Sequence, residues 1–83
     1  MNWNKTVDIK PILEKDQDTD ESARLVAKEL ANFLSKELHG YCTGNSNLDY
    51  IIKDLKRAKT QCKINNILAR LYDWADWAKV WLG

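Results

Sequence analysis

The sequence predicts an all-α protein, folded as a compact bundle of three main helices with a short N-terminal helical segment, in a single domain over residues 1–83. Apolar residues recur at spacings of three and four along three stretches of the chain, which is the pattern of helices that bury one face. One Pro and three Gly among 83 residues leave long stretches free of helix breakers. Apolar residues make up 45% and charged residues 30% of the chain, the balance of a folded globular domain rather than a disordered one.

The N-terminal segment is expected to form one or two helical turns over residues 9–15. Pro11 fits the first of these turns, where its missing N–H has no helical partner to lose. Asp18 followed by Glu21 resembles a capping box and predicts that the first long helix covers residues 21–39. The buried face of that helix is predicted to consist of Ala23, Val26, Ala27, Leu30, Phe33, Leu34 and Leu38.

A loop separates the first long helix from the second. Gly40 is expected to end the first helix in a left-handed conformation, since glycine adopts that conformation without steric cost. Asn45, Ser46 or Asn47 can cap the second helix, which is predicted over residues 48–59. Its apolar positions are Leu48, Ile51, Ile52, Leu55 and Ala58.

The last helix is predicted to run from Gln61 to Leu82, with Thr60 as its N-cap. No Gly or Pro separates it from the second helix, so the break between the two depends on Thr60 alone. On a helical wheel its apolar arc spans roughly 200°, about twice the width that a surface helix needs. The centre of the arc consists of Ile64, Ile67, Leu68, Leu71, Ala75, Ala78 and Leu82.

Three of the four tryptophans lie along one edge of this arc, at spacings of three and four. One neighbouring helix cannot cover so wide an arc, so this edge is either packed on a second side of the helix or covered by another chain. Arg70 lies on the same edge, where its guanidinium could stack on an indole. Because Arg and Trp are enriched in binding hot spots, the predicted interaction surface consists of Arg70, Trp74, Trp77 and Trp81.

Basic residues cluster where the second and third helices meet. The net charge of the chain is only +1, so bulk charge does not favour nucleic acid, but a tyrosine among cations is the minimal pattern for phosphate contact and base stacking. The alternative function is therefore a nucleic-acid-associated regulator. Its contact residues would be Tyr50, Lys53, Lys56, Arg57, Lys59 and Lys63.

Signs of catalysis or metal binding are weak. A zinc site would combine His39, Cys42 and Cys62 with a carboxylate such as Asp49, and a disulfide between the two cysteines stays open at this level. Asp73 and Asp76 stand about one helical turn apart but lack a third ligand or a facing histidine. We therefore expect no enzymatic activity, no cofactor and no metal.

The C-terminal stretch, residues 71–83, resembles the endings of small uncharacterised helical proteins encoded by phages and prophages. The resemblance covers about a sixth of the chain and brings no functional residue with it. It implies an accessory protein that binds and modulates a host protein, which is an argument by analogy.

The chain is expected to be cytoplasmic, since no run approaches the roughly 18 apolar residues of a membrane span and the N-terminus lacks the apolar region of a signal peptide. Taken together, the sequence favours a small non-enzymatic protein-interaction module, an adapter or an inhibitor. Its partner would be another protein or a second copy of the chain in a homodimer, and no membrane is involved.

Overall fold

The computed structural model describes residues 3–15 and 17–83 and confirms the helical bundle. A short helix, α1, covers Lys10–Leu13, and the three main helices are α2 (Asp20–Glu37), α3 (Asn47–Arg57) and α4 (Gln61–Ala78). A single 3₁₀ turn, His39–Tyr41, lies between α2 and α3. Each main helix packs against the other two.

The three main helices begin at side-chain caps, two of which the sequence predicted. Ser46 caps α3, and Asp49 completes the capping box by accepting a hydrogen bond from the Ser46 N–H at 3.1 Å. Thr60 caps α4 by accepting a hydrogen bond from the Lys63 N–H at 3.3 Å. These caps act within a single turn, which is why local sequence predicts them.

The predicted capping box of α2 was wrong by one residue. Thr19, not Asp18, is the N-cap, and its hydroxyl accepts a hydrogen bond from the Ser22 N–H at 3.1 Å. The Ser22 hydroxyl accepts one in return from the Thr19 N–H at 3.1 Å. Ser22 therefore takes the place predicted for Glu21, because the extended backbone of Thr19 aims its side chain at the third helical residue.

The left-handed cap predicted at Gly40 is also wrong. Helix α2 ends at Glu37, and the chain continues into the 3₁₀ turn that contains Gly40. The Tyr41 N–H donates to the Leu38 carbonyl at 2.9 Å. This tighter turn therefore provides a hydrogen bond to a carbonyl oxygen at the end of the helix, as a left-handed glycine cap would otherwise do. The glycine of this loop with a positive φ is Gly44, at 97°.

The hydrophobic core lies where the three main helices face one another. The predicted apolar positions of α2 and α3 are buried, except Phe33, which is half-buried. The largest side chains that are almost fully enclosed are Ile9, Leu30, Leu34, Leu38, Leu48, Leu55, Ile64, Leu71 and Val80. Three of these lie outside the three main helices: Leu38 directly follows α2, and Ile9 and Val80 lie near the two chain ends, so the terminal segments contribute to the core.

The largest error of the helix prediction concerns the residues beyond α4, which are not helical. Helix α4 ends at Ala78 rather than Leu82, because Lys79 adopts the left-handed conformation with φ 59° and ψ 43°. The next two residues form strand β2 (Val80–Trp81), which pairs in parallel with β1 (Lys5–Thr6). We call this pair the terminal sheet.

Backbone hydrogen bonds extend the terminal sheet in both directions. The Asn4 N–H donates to the Lys79 carbonyl and the Val7 N–H to the Trp81 carbonyl, each at 2.7 Å. The pairing buries Val80 and Leu82 against the bundle, with 2% and 4% of their surfaces exposed. The burial of Val80 and Leu82 and the hydrogen bonds to the N-terminal segment stabilise this arrangement more than continuation of α4 would.

Among the described residues, no helix combines the length and the apolar character needed to cross a membrane.

Candidate functional site

The structure separates the three tryptophans that the sequence placed on one surface. Trp74 is in the core, with 7% of its surface exposed, whereas Trp77 is 79% exposed. Trp81 is 43% exposed and lies in β2, beyond the end of the helix. The single row of indoles predicted along α4 is therefore wrong, because the helix stops before Trp81 and the bundle covers only part of its apolar arc.

Trp74 is buried because the bundle supplies an aromatic partner for it. The ring of Tyr41, in the 3₁₀ turn, stands perpendicular to the indole of Trp74, with the ring centroids 5.6 Å apart. This edge-to-face geometry is the favoured arrangement of two aromatic rings. Of the two sequence alternatives for Trp74, core and contact surface, the structure places it in the core with one side reaching a groove.

That groove lies between α3 and α4 and has a volume of about 420 Å³. We call it the α3/α4 groove. The base includes the buried side chains of Ile51 and Trp74, and the exposed residues Tyr50 and Trp77 belong to its walls. Its full lining consists of Asn47, Tyr50, Ile51, Arg70, Asp73, Trp74 and Trp77. Three of the four predicted interaction residues thus meet here, together with an α3 wall that sequence analysis assigned elsewhere.

Arg70 and Asp73 carry the charges of the groove lining. The guanidinium of Arg70 forms an ion pair with Asp54 of α3, with 2.7 Å between Nη1 and Oδ2. The charge of Arg70 is therefore compensated by Asp54, although Asp73 lies only three residues from Arg70 on α4. Asp73 forms no ion pair within residues 3–15 and 17–83.

Trp81 lines a second, smaller groove, of about 210 Å³, which we call the terminal groove. Its other aromatic residues are Trp3 and Tyr72, and Asp76 is its carboxylate. Asp73 and Asp76 thus line different grooves, so they do not form a shared acid–base pair. The half-buried Trp3 lies in this groove beside the C-terminal segment of the chain.

The predicted basic patch is exposed at every position. Tyr50 also lines the α3/α4 groove, and the five cations run from α3 through the linker into the first turn of α4. None of the five forms an ion pair with the residues that the structure describes.

The cysteine region holds a thiol close to a carboxylate. Cys42 and Cys62 are both free, and no group of three His, Cys, Asp or Glu within the described ranges is placed to hold a metal ion. Burial, the negative charge of Asp49 and a hydrogen bond to it raise the pKa of the Cys42 thiol. A raised pKa keeps the thiol protonated at neutral pH and therefore a poor nucleophile.

Asp49 completes the capping box at the start of α3. Partial desolvation acts to raise its pKa, but hydrogen bonds from Ser46, Gly44 and Cys42 outweigh that effect and lower the pKa overall. The Gly44 N–H donates to Oδ2 at 2.7 Å and the Ser46 hydroxyl at 2.9 Å. His39 is exposed in the 3₁₀ turn.

Sequence reasoning missed the α3 wall of the groove and the whole terminal groove. Tyr50 was assigned to the basic patch, and Asn47 was considered only as a cap. A signal for the terminal sheet was present, since Val7 and Ile9 alternate with polar residues as strand residues do, and Val80 and Leu82 also stand two apart.

Comparison with known proteins gives no match: no protein-family model, no curated protein and no solved structure shows significant similarity to the chain.

Proposed function

We propose that the protein is a small, non-enzymatic protein-interaction module whose contact surface is the α3/α4 groove. The observation that carries this proposal is the indole of Trp77, which is 79% exposed on the wall of a concave site that also contains Tyr50 and Trp74. An exposed tryptophan presents a large apolar surface to water, and burial of that surface on binding is favourable. The module would act as an adapter or an inhibitor, by covering a surface of its partner.

The neighbours of Trp77 support a binding role for it. Arg70 and Tyr50 line the same groove, and Trp, Tyr and Arg are the residue types most enriched in binding hot spots. The base of the groove belongs to the core, so its shape is fixed before a partner arrives, which lowers the entropic cost of association. Trp81 faces the terminal groove and lies outside the proposed contact.

An aromatic photo-crosslinking amino acid at position 77, which replaces the indole with another large ring and so keeps an apolar contact there, tests this proposal in cells of the source organism. Position 25 is the matched control, since Leu25 is 63% exposed but lies on α2. We expect a discrete crosslinked product from position 77 and none from position 25. A product formed only with a second copy of the chain would identify the module as a homodimer.

The affinity of the purified partner for the Trp77→Ala variant then decides the role of the indole. A hot-spot residue costs at least about 2 kcal/mol when truncated, which is roughly 30-fold in Kd. The helical circular dichroism of the variant is expected to match the wild type. Equal crosslinking from both positions, or unchanged affinity of Trp77→Ala, would refute the proposal.

A second candidate function is binding of nucleic acid, which the uncompensated, exposed cations of the basic patch favour. Fluorescence anisotropy with a labelled duplex tests it at 50 mM salt and above. Each phosphate contact is expected to contribute about −0.9 to the slope of log K against log salt. Lys53→Ala and Arg57→Ala should weaken binding more than Lys28→Ala, an exposed lysine of α2. Absence of binding at low salt removes this function.

A further inference from the structure

We propose that the α3/α4 groove binds a cationic side chain, a lysine or arginine of the partner protein. This inference rests on the proposed function and names the chemistry that the contact surface recognises. It follows from the aromatic residues of the groove, from the distribution of its charges and from its exposed apolar wall.

The aromatic residues favour a cation. Tyr50, Trp74 and Trp77 contribute three aromatic side chains to one concave site, from two different helices. The face of an aromatic ring carries negative charge density and attracts an ammonium or guanidinium group, most strongly in the case of tryptophan. Sites with several rings bind quaternary ammonium groups by the same attraction, which also acts on lysine and arginine.

The charges of the groove also favour a cation over an anion. Asp54 at 2.7 Å compensates the guanidinium of Arg70, so an anion would compete with an existing ion pair. The same anion would approach Asp73, a carboxylate without an ionic partner among the described residues. A cation would instead pair with Asp73 and leave the pair of Arg70 with Asp54 intact.

The exposed aromatic wall of the groove suits the stem of a long cationic side chain. Lysine and arginine pack their methylene groups on apolar surface while their charged ends stay near water or a carboxylate. The indole of Trp77 offers such a surface, being 79% exposed, and the exposed carboxylate of Asp73 lines the same groove. A volume of about 420 Å³ gives room for one or a few side chains rather than for a large partner element.

Titration of the isotope-labelled full chain by nuclear magnetic resonance tests the inference without knowledge of the partner. The probes are three capped tripeptides, glycine–X–glycine, in which X is arginine, citrulline or glutamate. Citrulline has nearly the shape of arginine but no charge. The indole N–H signal of Trp77 reports on the α3/α4 groove, and the signals of Trp3 and Trp81 report on the terminal groove.

We expect the arginine peptide to shift the Trp77 signal and to bind at least five-fold more tightly than the citrulline peptide. The Asp73→Asn variant should lose most of that difference. Asp76→Asn is the matched control, because it makes the same substitution at an exposed carboxylate of α4 that lines the other groove, and it should keep the difference.

Three outcomes would overturn the inference: equal affinity for arginine and citrulline, tighter binding of glutamate, or equal shifts of Trp3, Trp77 and Trp81. None of them affects the crosslinking test of the proposed function. If position 77 crosslinks to a partner but arginine and citrulline bind equally, the groove is a contact surface without cation preference. If position 77 crosslinks no more than position 25, the proposed function fails, whatever the tripeptides show.

Discussion

The α3/α4 groove and the terminal groove contain the same kinds of residue on different scaffolds. Each has three aromatic side chains and one exposed aspartate of α4, but the α3/α4 groove is formed by two packed helices. The terminal groove depends on β2 and Trp3, which come from opposite ends of the chain. The first groove is therefore fixed by the core of the bundle, whereas the second exists only while the two chain ends stay together.

The same contrast separates residues that share one helix. Trp74 and Trp77 are three residues apart on α4, yet one is enclosed by the bundle and the other is exposed. Residues three apart on a helix point in similar but not identical directions. That small difference in direction about the helix axis decides which of the two the neighbouring helix and the 3₁₀ turn can cover. A row of similar residues on a helix therefore does not define a single surface.

The largest expected effect comes from truncation at the base of the α3/α4 groove. Trp74→Ala should lower the free energy of unfolding by about 3–5 kcal/mol, because it removes a buried indole and leaves a cavity. Trp77→Ala should change it by no more than about 0.5 kcal/mol, as at other exposed positions. Urea unfolding followed by circular dichroism measures both.

A total stability of about 5–15 kcal/mol is typical of small domains, so Trp74→Ala could unfold this one. Trp74→Phe keeps an aromatic ring at that position and should lower the free energy of unfolding by less. Its loss can therefore be measured even if Trp74→Ala does not fold. Similar losses for the alanine variants at 74 and 77 would contradict the separation of core and surface along α4.

The terminal groove is tested by Leu82→Ala. Leu82 is 4% exposed, so its truncation should cost about 2 kcal/mol, the lower end of the range for buried leucine. The loss should appear in the global urea transition if the terminal sheet unfolds together with the bundle. A loss below about 0.5 kcal/mol would show that the chain ends open independently and that the terminal groove is not a permanent feature.

Lys79 joins the two regions and should respond to glycine with a gain of stability. Its φ of 59° costs a residue with a side chain about 1–2 kcal/mol, and glycine avoids that cost at the expense of greater freedom in the unfolded chain. We expect a net gain of about 0.5–1 kcal/mol for Lys79→Gly. The control, Lys53→Gly in the interior of α3, should lose about 1 kcal/mol. Destabilisation by both variants would contradict the left-handed cap.

The ion pair of Arg70 with Asp54 is a smaller effect on the rim of the α3/α4 groove. The two side chains are 52% and 38% exposed, so the pair is screened by water and salt. A double-mutant cycle with alanine should give a coupling of about 0.2–1 kcal/mol that decreases at 1 M salt. A coupling of zero at low salt would leave Arg70 uncompensated and would weaken the argument for a cationic partner.

The start of α3, next to Asn47 in the groove wall, should be sensitive to acid. Since hydrogen bonding lowers the pKa of Asp49 in the folded state, its contribution is present above the unfolded value of about 3.9 and is lost as pH falls through the folded pKa. Asp49→Asn should therefore be less stable than wild type at pH 7 and lose less on acidification to pH 2. Urea midpoints at the two pH values measure this, and parallel losses would contradict it.

Local sequence was sufficient for the parts of the fold that one or two turns determine. The caps at Ser46 and Thr60 and the buried faces of α2 and α3 follow from hydrogen bonds and periodicities within each helix. The errors at Gly40 and at the end of α4 have a different origin. Gly40 lies in a 3₁₀ turn beyond the end of α2, and the residues that follow α4 pair with β1. Both outcomes therefore depend on structure outside the helix whose end was predicted.

The candidate site was predicted only in part for the same reason. The sequence marked Arg70, Trp74 and Trp77 because they share one edge of a helix, but it gave no sign that Tyr50 of α3 faces them across a groove. It also joined Trp81 to that edge, since a pattern of three and four continues through residue 81 whether or not the helix does.

The sequence by itself determined that this chain forms three amphipathic helices and that its last helix carries more apolar surface than one neighbour can cover. These are properties of composition, spacing and capping, which act between residues a few positions apart. Only the tertiary structure decided which indole is enclosed, where α4 ends and which residues face each other across a groove. Those outcomes depend on contacts between residues far apart in the chain, above all the pairing of β1 with β2 and the packing of Tyr41 on Trp74.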